Sequence, residues 1–311
     1  MEKVLQCFKN LYKGEDIKNK HFLLSLLFIL PAITSAMTGV IDKDTPKSAL
    51  IVCGIILVVL GLLSIIPGLW LLGTAIRFYE ERLMGKLGIP KVSFDTLVQG
   101  VKVFPLTFVW GLYYLIIFTI LIVTPFIFVI SDITSGLNSP TTSSIIFMIL
   151  GILVAILLII AITVLTLPFF NYIAIEYVKY GHQGYLYNPL SLGKYMKLAF
   201  KETMIVFGKF WLASIVIGLA MGIIYLIFVI LCGAIGLLAG IFSTSENFTL
   251  FDSPAAVISI IFLSSLISIL QMYVRTMISY AATDNYIEVY KEKIAPHFET
   301  AEVSVDDFKS L

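Results

Sequence analysis

The polar side chains with the clearest potential for chemistry lie in the last apolar segment of the chain. They are Ser264, Ser268, Gln271, Arg275 and Ser279. Their separations of 4, 3, 4 and 4 residues place them on one face of an α-helix. Because a glutamine amide exposed to lipid is costly, we expect this stripe to look into a helix bundle. Two roles stay open: hydrogen bonding between helices, or a polar cavity or pathway.

Asn171 is a possible partner of the stripe, and Glu176 is a further candidate for a ligand-facing group. We expect Glu176, Arg275 and Asp284 to lie near the inner membrane surface. Interfacial anchoring with ion pairs and a polar entrance for a ligand are both open roles there. No charged residue is predicted at the middle of the membrane, which disfavours a proton-coupled pump.

Motifs for catalysis and for metal or cofactor binding are missing from the sequence. It has no phosphate-binding glycine loop with lysine, no H-E-x-x-H and no G-x-S-x-G. The three histidines, His21, His182 and His297, fall in separate segments, which disfavours a metal site. We therefore predict no catalytic, metal-binding or cofactor-binding residue, no cofactor, and a protein that is not an enzyme.

The cysteines Cys7, Cys53 and Cys232 have no recognisable motif spacing. Cys53 and Cys232 are both predicted in the outer halves of membrane spans, so a bridge between them is one possibility. Free cysteines that pack as small apolar side chains are the favoured one.

Composition excludes a water-soluble domain. Apolar residues make up 59% of the 311 residues, charged residues 13%, and the mean hydropathy is +0.99. Soluble domains carry about 25% charged residues. The same apolar and weakly charged composition excludes a nucleic-acid binder, whereas the net charge of +1 says nothing about partners. Six apolar segments are long enough to cross a membrane as helices: 22–40, 49–76, 105–130, 144–173, 207–242 and 255–281.

Lysine and arginine set the expected orientation. Nineteen of the 21 basic residues fall in the two terminal regions and in two of the loops. The other two, Lys43 and Lys47, fall in one of the three remaining loops, and the last two loops have none. An excess of basic residues marks the cytoplasmic side. We therefore predict a multi-pass protein of the cell membrane with its N-terminus and C-terminus in the cytoplasm.

Three parallel repeat units are predicted within one transmembrane domain, residues 1–295, with boundaries near 1–87, 88–187 and 188–295. Each unit begins with an amphipathic segment (4–12, 94–101 or 192–199), followed by an outward and a returning span. The fold class is thus an all-α integral membrane protein whose six transmembrane helices form three hairpins, with interfacial amphipathic helices on the cytoplasmic side. Pro296 is expected to end the last helix, leaving 296–311 as an acidic cytoplasmic tail.

Glycine spacing gives two further expectations. Residues 211–242 are 32 uncharged residues, which as a helix would exceed the hydrocarbon core. A break or bend is expected at Gly233, Gly236 and Gly240. Close helix packing is expected at two other sets of glycines, namely Gly54, Gly61 and Gly68, and Gly218 and Gly222.

Residues 67–102 carry a family resemblance. The stretch from Pro67 to Arg77 is P-G-L-W-L-L-G-T-A-I-R, and it is followed by Gly88-Ile89-Pro90, Phe94 and Gly100-Val101-Lys102. This pattern resembles the prokaryotic membrane proteins grouped as domain-of-unknown-function family 4013. The resemblance implies about six spans and a bacterial or archaeal origin, and it implies no activity or catalytic residue.

Two functions from different classes follow from these patterns. We expect a non-enzymatic membrane module that organises lipids or partner proteins, because basic amphipathic segments face one leaflet and reactive groups are scarce. The expected partners are the lipid bilayer, anionic inner-leaflet lipids in particular, and an unknown protein or small solute. The alternative is a permease or channel for a small or amphiphilic solute, which the polar stripe favours.

Overall fold

The computed structural model describes residues 2–38, 47–134, 141–242 and 254–299, and within these ranges the chain is helical and contains no strand. Eleven α-helices fall in the described ranges: α1 Glu2–Leu11, α2 Ile17–Leu26, α3 Ile29–Thr38, α4 Lys47–Leu83, α5 Phe94–Val123, α6 Ile127–Thr134, α7 Thr142–Thr166, α8 Phe170–Tyr180, α9 Leu190–Phe242, α10 Pro254–Val289 and α11 Ala295–Glu299.

Six stretches are long and apolar enough to cross a membrane. They are Ile17–Met37, Ile51–Leu83, Phe94–Phe126, Thr142–Tyr180, Leu190–Ile227 and Ile261–Phe298. Each overlaps one of the six predicted segments, so the prediction of an all-helical, multi-pass membrane protein is confirmed. Uninterrupted apolar sequence is the reason, because a chain in lipid must satisfy its backbone groups within its own helices.

The amphipathic segments differ from the prediction in their connections. The first becomes a separate helix, α1, which is followed by Gly14 at φ 111°. The third, at the start of α9, is set off from the span that follows by a kink at Ala199, the residue at which the predicted segment 192–199 ends. The second is continuous with its span, because α5 passes through Pro105. A proline inside a membrane helix removes one backbone donor, which need not end the helix.

The backbone of α9 is helical through Gly233, Gly236 and Gly240, so the predicted break does not lie there. Its departure from helical geometry is at Ala199, with φ −139° and ψ 25°. Likewise, Pro296 does not end the last helix. A π-turn at Tyr290–Ile294 joins α10 to α11, which includes that proline. The tail residues 300–311 lie outside the described residues.

Two prolines produce short 3-10 turns instead. Pro125 lies in the turn Thr124–Phe126, and Pro168 in the turn Leu167–Phe169. The side chain of Asn171 donates a 2.8 Å hydrogen bond to the carbonyl oxygen of Pro168. Asn171 therefore satisfies an acceptor at the point where the helical hydrogen-bond pattern changes.

The chain forms two compact units, Met1–Lys102 with Ile205–Ile287, and Val103–Met204 with Glu288–Leu311. In the first unit, α4 and α5 cross with their backbones in contact. A Cβ atom on Gly73 would lie 1.6 Å from the Thr96 carbonyl oxygen, and one on Gly100 would lie 1.8 Å from the Leu69 carbonyl oxygen. Both glycines belong to the sequence pattern at 67–102, and the crossing gives the physical reason for them.

The other glycine sets do not pack closely. A Cβ atom at Gly54, Gly61, Gly68, Gly218 or Gly222 would meet no atom within 4 Å. The prediction of close packing at these positions is therefore wrong for the chain as described. Spacing alone cannot distinguish a helix face that meets a neighbour from one that faces lipid.

Burial is concentrated toward one end of the long helices. No residue in the apolar window of Ile51–Leu83 is buried, whereas Phe78, Tyr172, Tyr195 and Tyr290 are all fully buried. Outside water, exposed apolar side chains carry no penalty, because lipid tails are as apolar as they are. Each unit thus has a packed polar and aromatic end and a span whose apolar surface is open.

Candidate functional site

The predicted stripe on α10 does not look into the protein along its whole length. Ser264 and Ser268 are half-buried, whereas Gln271, Arg275 and Ser279 are exposed. The expectation that this face is covered is therefore wrong for its second half. The opposite face of α10 is the buried one there, because Met277, Tyr280 and Ala281 pack into the core of the first unit.

Asn171 and Glu176 make their hydrogen bonds within the second unit, whereas the stripe belongs to the first. Asn171 bonds the Pro168 carbonyl oxygen, and Glu176 accepts hydrogen bonds from two tyrosines. Of the predicted site residues, Glu176 has the most elaborate surroundings.

Glu176 is a fully buried carboxylate on α8. The hydroxyl of Tyr185 donates a 2.8 Å hydrogen bond to Oε2 of Glu176, and the hydroxyl of Tyr290 donates a 2.6 Å hydrogen bond to Oε1. Tyr185 lies in the 3-10 turn Gly184–Tyr187, and Tyr290 begins the π-turn after α10. One carboxylate therefore joins three separate segments of the chain through charge-assisted hydrogen bonds.

An aromatic and cationic shell surrounds this carboxylate. The Lys179 ammonium lies 5.0 Å from the ring centre of Tyr290. The Phe298 ring, from α11, packs against Tyr185 and Tyr195 at centroid distances of 6.5 and 6.1 Å. The buried hydroxyl of Tyr195 has no hydrogen-bond partner among the described residues.

Burial and the neighbouring charge of Glu176 raise the pKa of Tyr185. Its phenol therefore stays protonated at neutral pH and remains a hydrogen-bond donor. Gly181, at φ 72°, turns the chain after α8 and so brings the Tyr185 turn back toward that helix.

The first unit holds a second polar cluster, of which the sequence indicated Asp284 but not its partner Arg82. Nε of Arg82 lies 3.1 Å from Oδ1 of Asp284, and the Arg82 side chain is 4% exposed. The guanidinium also lies 4.8 Å from the ring centre of Phe78, which stacks on Tyr280 at 4.3 Å. Nη1 of Arg82 donates a 2.9 Å hydrogen bond to the Lys86 carbonyl oxygen.

A helical signal in the sequence could have identified Arg82. Thr74, Phe78 and Arg82 follow one another at four-residue spacing, and all three are buried. An arginine that continues a buried helix face needs an acidic partner. The identity of that partner, Asp284, requires the fold.

The histidines and cysteines are spread among separate surroundings. His21 stacks on Tyr12 and is hydrogen-bonded to the Tyr273 hydroxyl, and His182 is hydrogen-bonded to the Tyr187 hydroxyl at 2.6 Å. In the described ranges, no three His, Cys, Asp or Glu side chains lie close enough to hold a metal ion. Cys53 is a free thiol, and the side chain of Cys232 is outside the described residues.

Both clusters hold separate segments of the chain together. The Glu176 cluster ties α8, a turn and the C-terminal segment together, and the Arg82–Asp284 pair ties α4 to α10. Glu176 accepts two hydrogen bonds, whereas Arg82 faces Asp284 and donates through Nη1, and its buried Nε and Nη2 make no hydrogen bond among the described residues. Comparison of the chain with models of known families, with curated proteins and with solved structures gave no match.

Proposed function

We propose that this protein is a non-enzymatic module of the cell membrane that organises anionic lipids or partner proteins at the cytoplasmic leaflet. The observation that carries the proposal is the contrast within the long helices between a packed, polar end and an open apolar span. The clusters at the packed ends support one conformation, and the open spans leave surface for lipids or other membrane helices.

The proposed topology is six spans in three hairpins, with both termini in the cytoplasm. The distribution of basic residues supports it. Exposed lysines stand on the packed ends of the helices, among them Lys9, Lys91, Lys102, Lys197 and Lys201. Anionic headgroups attract such lysines, each contributing about 1 kcal/mol near the surface.

Three similar pairings support the proposed repeat. A returning helix contacts the next amphipathic segment at Gly73 and Gly100, and again at Tyr172 and Tyr195, whose ring centres are 5.9 Å apart. A third pairing joins α10 to α1, where Nδ2 of Asn285 lies 3.2 Å from Sγ of Cys7. The resemblance to domain-of-unknown-function family 4013 stays part of this proposal.

Native extraction tests the proposed function. The protein is taken from its membrane in polymer-bounded bilayer discs, and lipids and co-purifying proteins are quantified against discs of an unrelated six-span protein. We expect enrichment of anionic lipid, a stoichiometric protein partner, or both. A lipid composition equal to the bulk membrane with no partner would overturn the proposal.

The exposed second half of the α10 stripe supports one alternative, a permease or channel for a small or amphiphilic solute. Gln271 and Arg275 are exposed on a helix that is long enough to span a membrane. Polar groups in such a helix need a polar partner or water. Flux into proteoliposomes that is lost in Gln271→Leu would favour the permease, and absence of flux across a broad solute panel would exclude it.

A further inference from the structure

We propose that residues 94–104, the first turns of α5, lie in the headgroup layer and bind anionic phospholipid. Their apolar face inserts among acyl chains, and the lysines beside it contact lipid phosphates. This inference rests on the proposed function and names one surface that carries it. The face formed by Phe94, Val98 and Val101 is called the α5 lipid face below.

The α5 lipid face is apolar and uncovered. Phe94, Val98 and Val101 are 71%, 37% and 53% exposed, and they lie at helical spacing on one side of α5. The opposite side is the one that the protein covers, because Thr96 and Val103 are buried and Gly100 meets the backbone of α4. The helix therefore has one side that packs on protein and one apolar side that is exposed in the part of the chain that the structure describes.

The length of α5 leaves room for this face at the membrane boundary. The stretch Phe94–Phe126 has 33 residues, which at about 1.5 Å per residue extends roughly 50 Å. The hydrocarbon core is about 30 Å thick, so roughly 20 Å of helix must project or tilt. A phenylalanine and two valines in open water would be unfavourable, whereas the same face against acyl chains is stabilised.

The charges beside this face select the lipid. Lys91 precedes α5 and Lys102 lies on its flank, and both are exposed. Asp95 is the exposed acid on that flank, which leaves a net positive charge. Glu80, on neighbouring α4, is paired with Arg77 at 2.8 Å. Apolar insertion flanked by lysines is the combination that favours anionic over zwitterionic headgroups.

The start of α9 differs from that of α5 at the matching apolar positions. Its corresponding apolar residues, Leu192 and Tyr195, are 6% and 0% exposed. They pack into the protein, so lipid cannot reach them. Lys197 on α9 is an exposed charged position, and it provides the control for the label. The exposed large apolar residues of this segment are Leu190 and Phe200, at 78% and 42%.

Spin labelling tests the inference. The three cysteines of the chain are replaced by serine, and Val98→Cys provides one position for a spin label. The labelled protein is placed in nanodiscs made either of phosphatidylglycerol with phosphatidylcholine or of phosphatidylcholine alone. We expect the label to collide with oxygen, which concentrates in lipid, more than with a water-soluble nickel chelate, and the bias to weaken without phosphatidylglycerol. Lys197→Cys should favour the nickel chelate in both. Val101→Cys provides a second label position if Val98→Cys fails to fold.

The lysines are tested separately. In native mass spectrometry with mixed lipids, the double variant Lys91→Gln/Lys102→Gln should lose roughly fivefold of the phosphatidylglycerol preference per lysine. In the spin-label experiment, the double variant Lys9→Gln/Lys13→Gln should leave the accessibility of the Val98 label unchanged. A Val98 label that favours the nickel chelate would overturn the α5 surface even if anionic lipid stays enriched around the protein. Loss of all enrichment would instead overturn the proposed function.

Discussion

The hydroxyl of Tyr290 donates a 2.6 Å hydrogen bond to the buried carboxylate of Glu176, joining residues 114 positions apart in the sequence. This contact fixes the segment after α10 to α8. Because Glu176 is fully buried, loss of either donor leaves part of its charge unsatisfied.

Tyr290→Phe should therefore lower the free energy of unfolding by about 1.5–3 kcal/mol, as expected for a hydrogen bond to a charged group. Thermal unfolding in detergent measures the change. Tyr225→Phe is the matched control, because the Tyr225 ring is 53% exposed. Equal unfolding temperatures for the two variants would contradict the role assigned to Glu176.

The crossing of α4 and α5 predicts a sharp difference between glycines of one helix. Gly73→Ala should destabilise the protein by about 1–3 kcal/mol or prevent folding, because the new methyl group meets backbone. Gly61→Ala, where a Cβ atom meets nothing within 4 Å, should be neutral or stabilising by about 0.5–1 kcal/mol. Unfolding followed by circular dichroism decides between them, and a reversed order would refute the crossing.

The Arg82–Asp284 pair predicts non-additive substitutions. Asp284→Leu alone should cost about 3–5 kcal/mol, because it leaves the Arg82 side chain, which is 4% exposed, without its acidic partner. Arg82→Met alone should cost less, because the Asp284 side chain is 22% exposed. The double variant should cost much less than the sum of the two. Unfolding free energies of the four proteins form the double-mutant cycle. Simple additivity would show that the two groups do not interact.

The raised pKa of Tyr185 predicts loss of stability at alkaline pH. The folded protein holds the proton on this phenol more tightly than the unfolded chain does. The protonated phenol therefore contributes fully to the free energy of unfolding below the unfolded pKa of about 10, and this contribution is lost as the pH rises above it. Unfolding measured between pH 8 and pH 11 should show a fall in stability above pH 10 that is shallower in Tyr185→Phe. Parallel profiles would exclude the linkage.

The six spans could be predicted because a continuous stretch of about 20 apolar residues can satisfy its backbone hydrogen bonds in lipid only as an α-helix. The second half of the α10 stripe is exposed, whereas its spacing and polarity predicted that it would face the helix bundle. The reason is that α10 is apolar on several faces, so the pattern at Gln271 and Arg275 does not reveal which face meets protein. The opposite face of α10 packs against protein instead, because Tyr280 stacks on Phe78 of α4.

The two polar clusters could be predicted only in part. Glu176 was a candidate because a carboxylate near a membrane span needs partners. Its actual donors, Tyr185 and Tyr290, come from a turn and from beyond α10. Spacing within one helix cannot identify partners that the tertiary fold supplies, and the same holds for Arg82 and Asp284.

The most direct test of a module that organises anionic lipid is the lipid shell of the purified protein. Proteoliposomes are prepared with spin-labelled phosphatidylglycerol or spin-labelled phosphatidylcholine, and the motionally restricted fraction of each is measured at low and high salt. We predict a larger restricted fraction for phosphatidylglycerol, which salt reduces because the lysines act electrostatically. Equal restricted fractions at both salt concentrations would contradict the account.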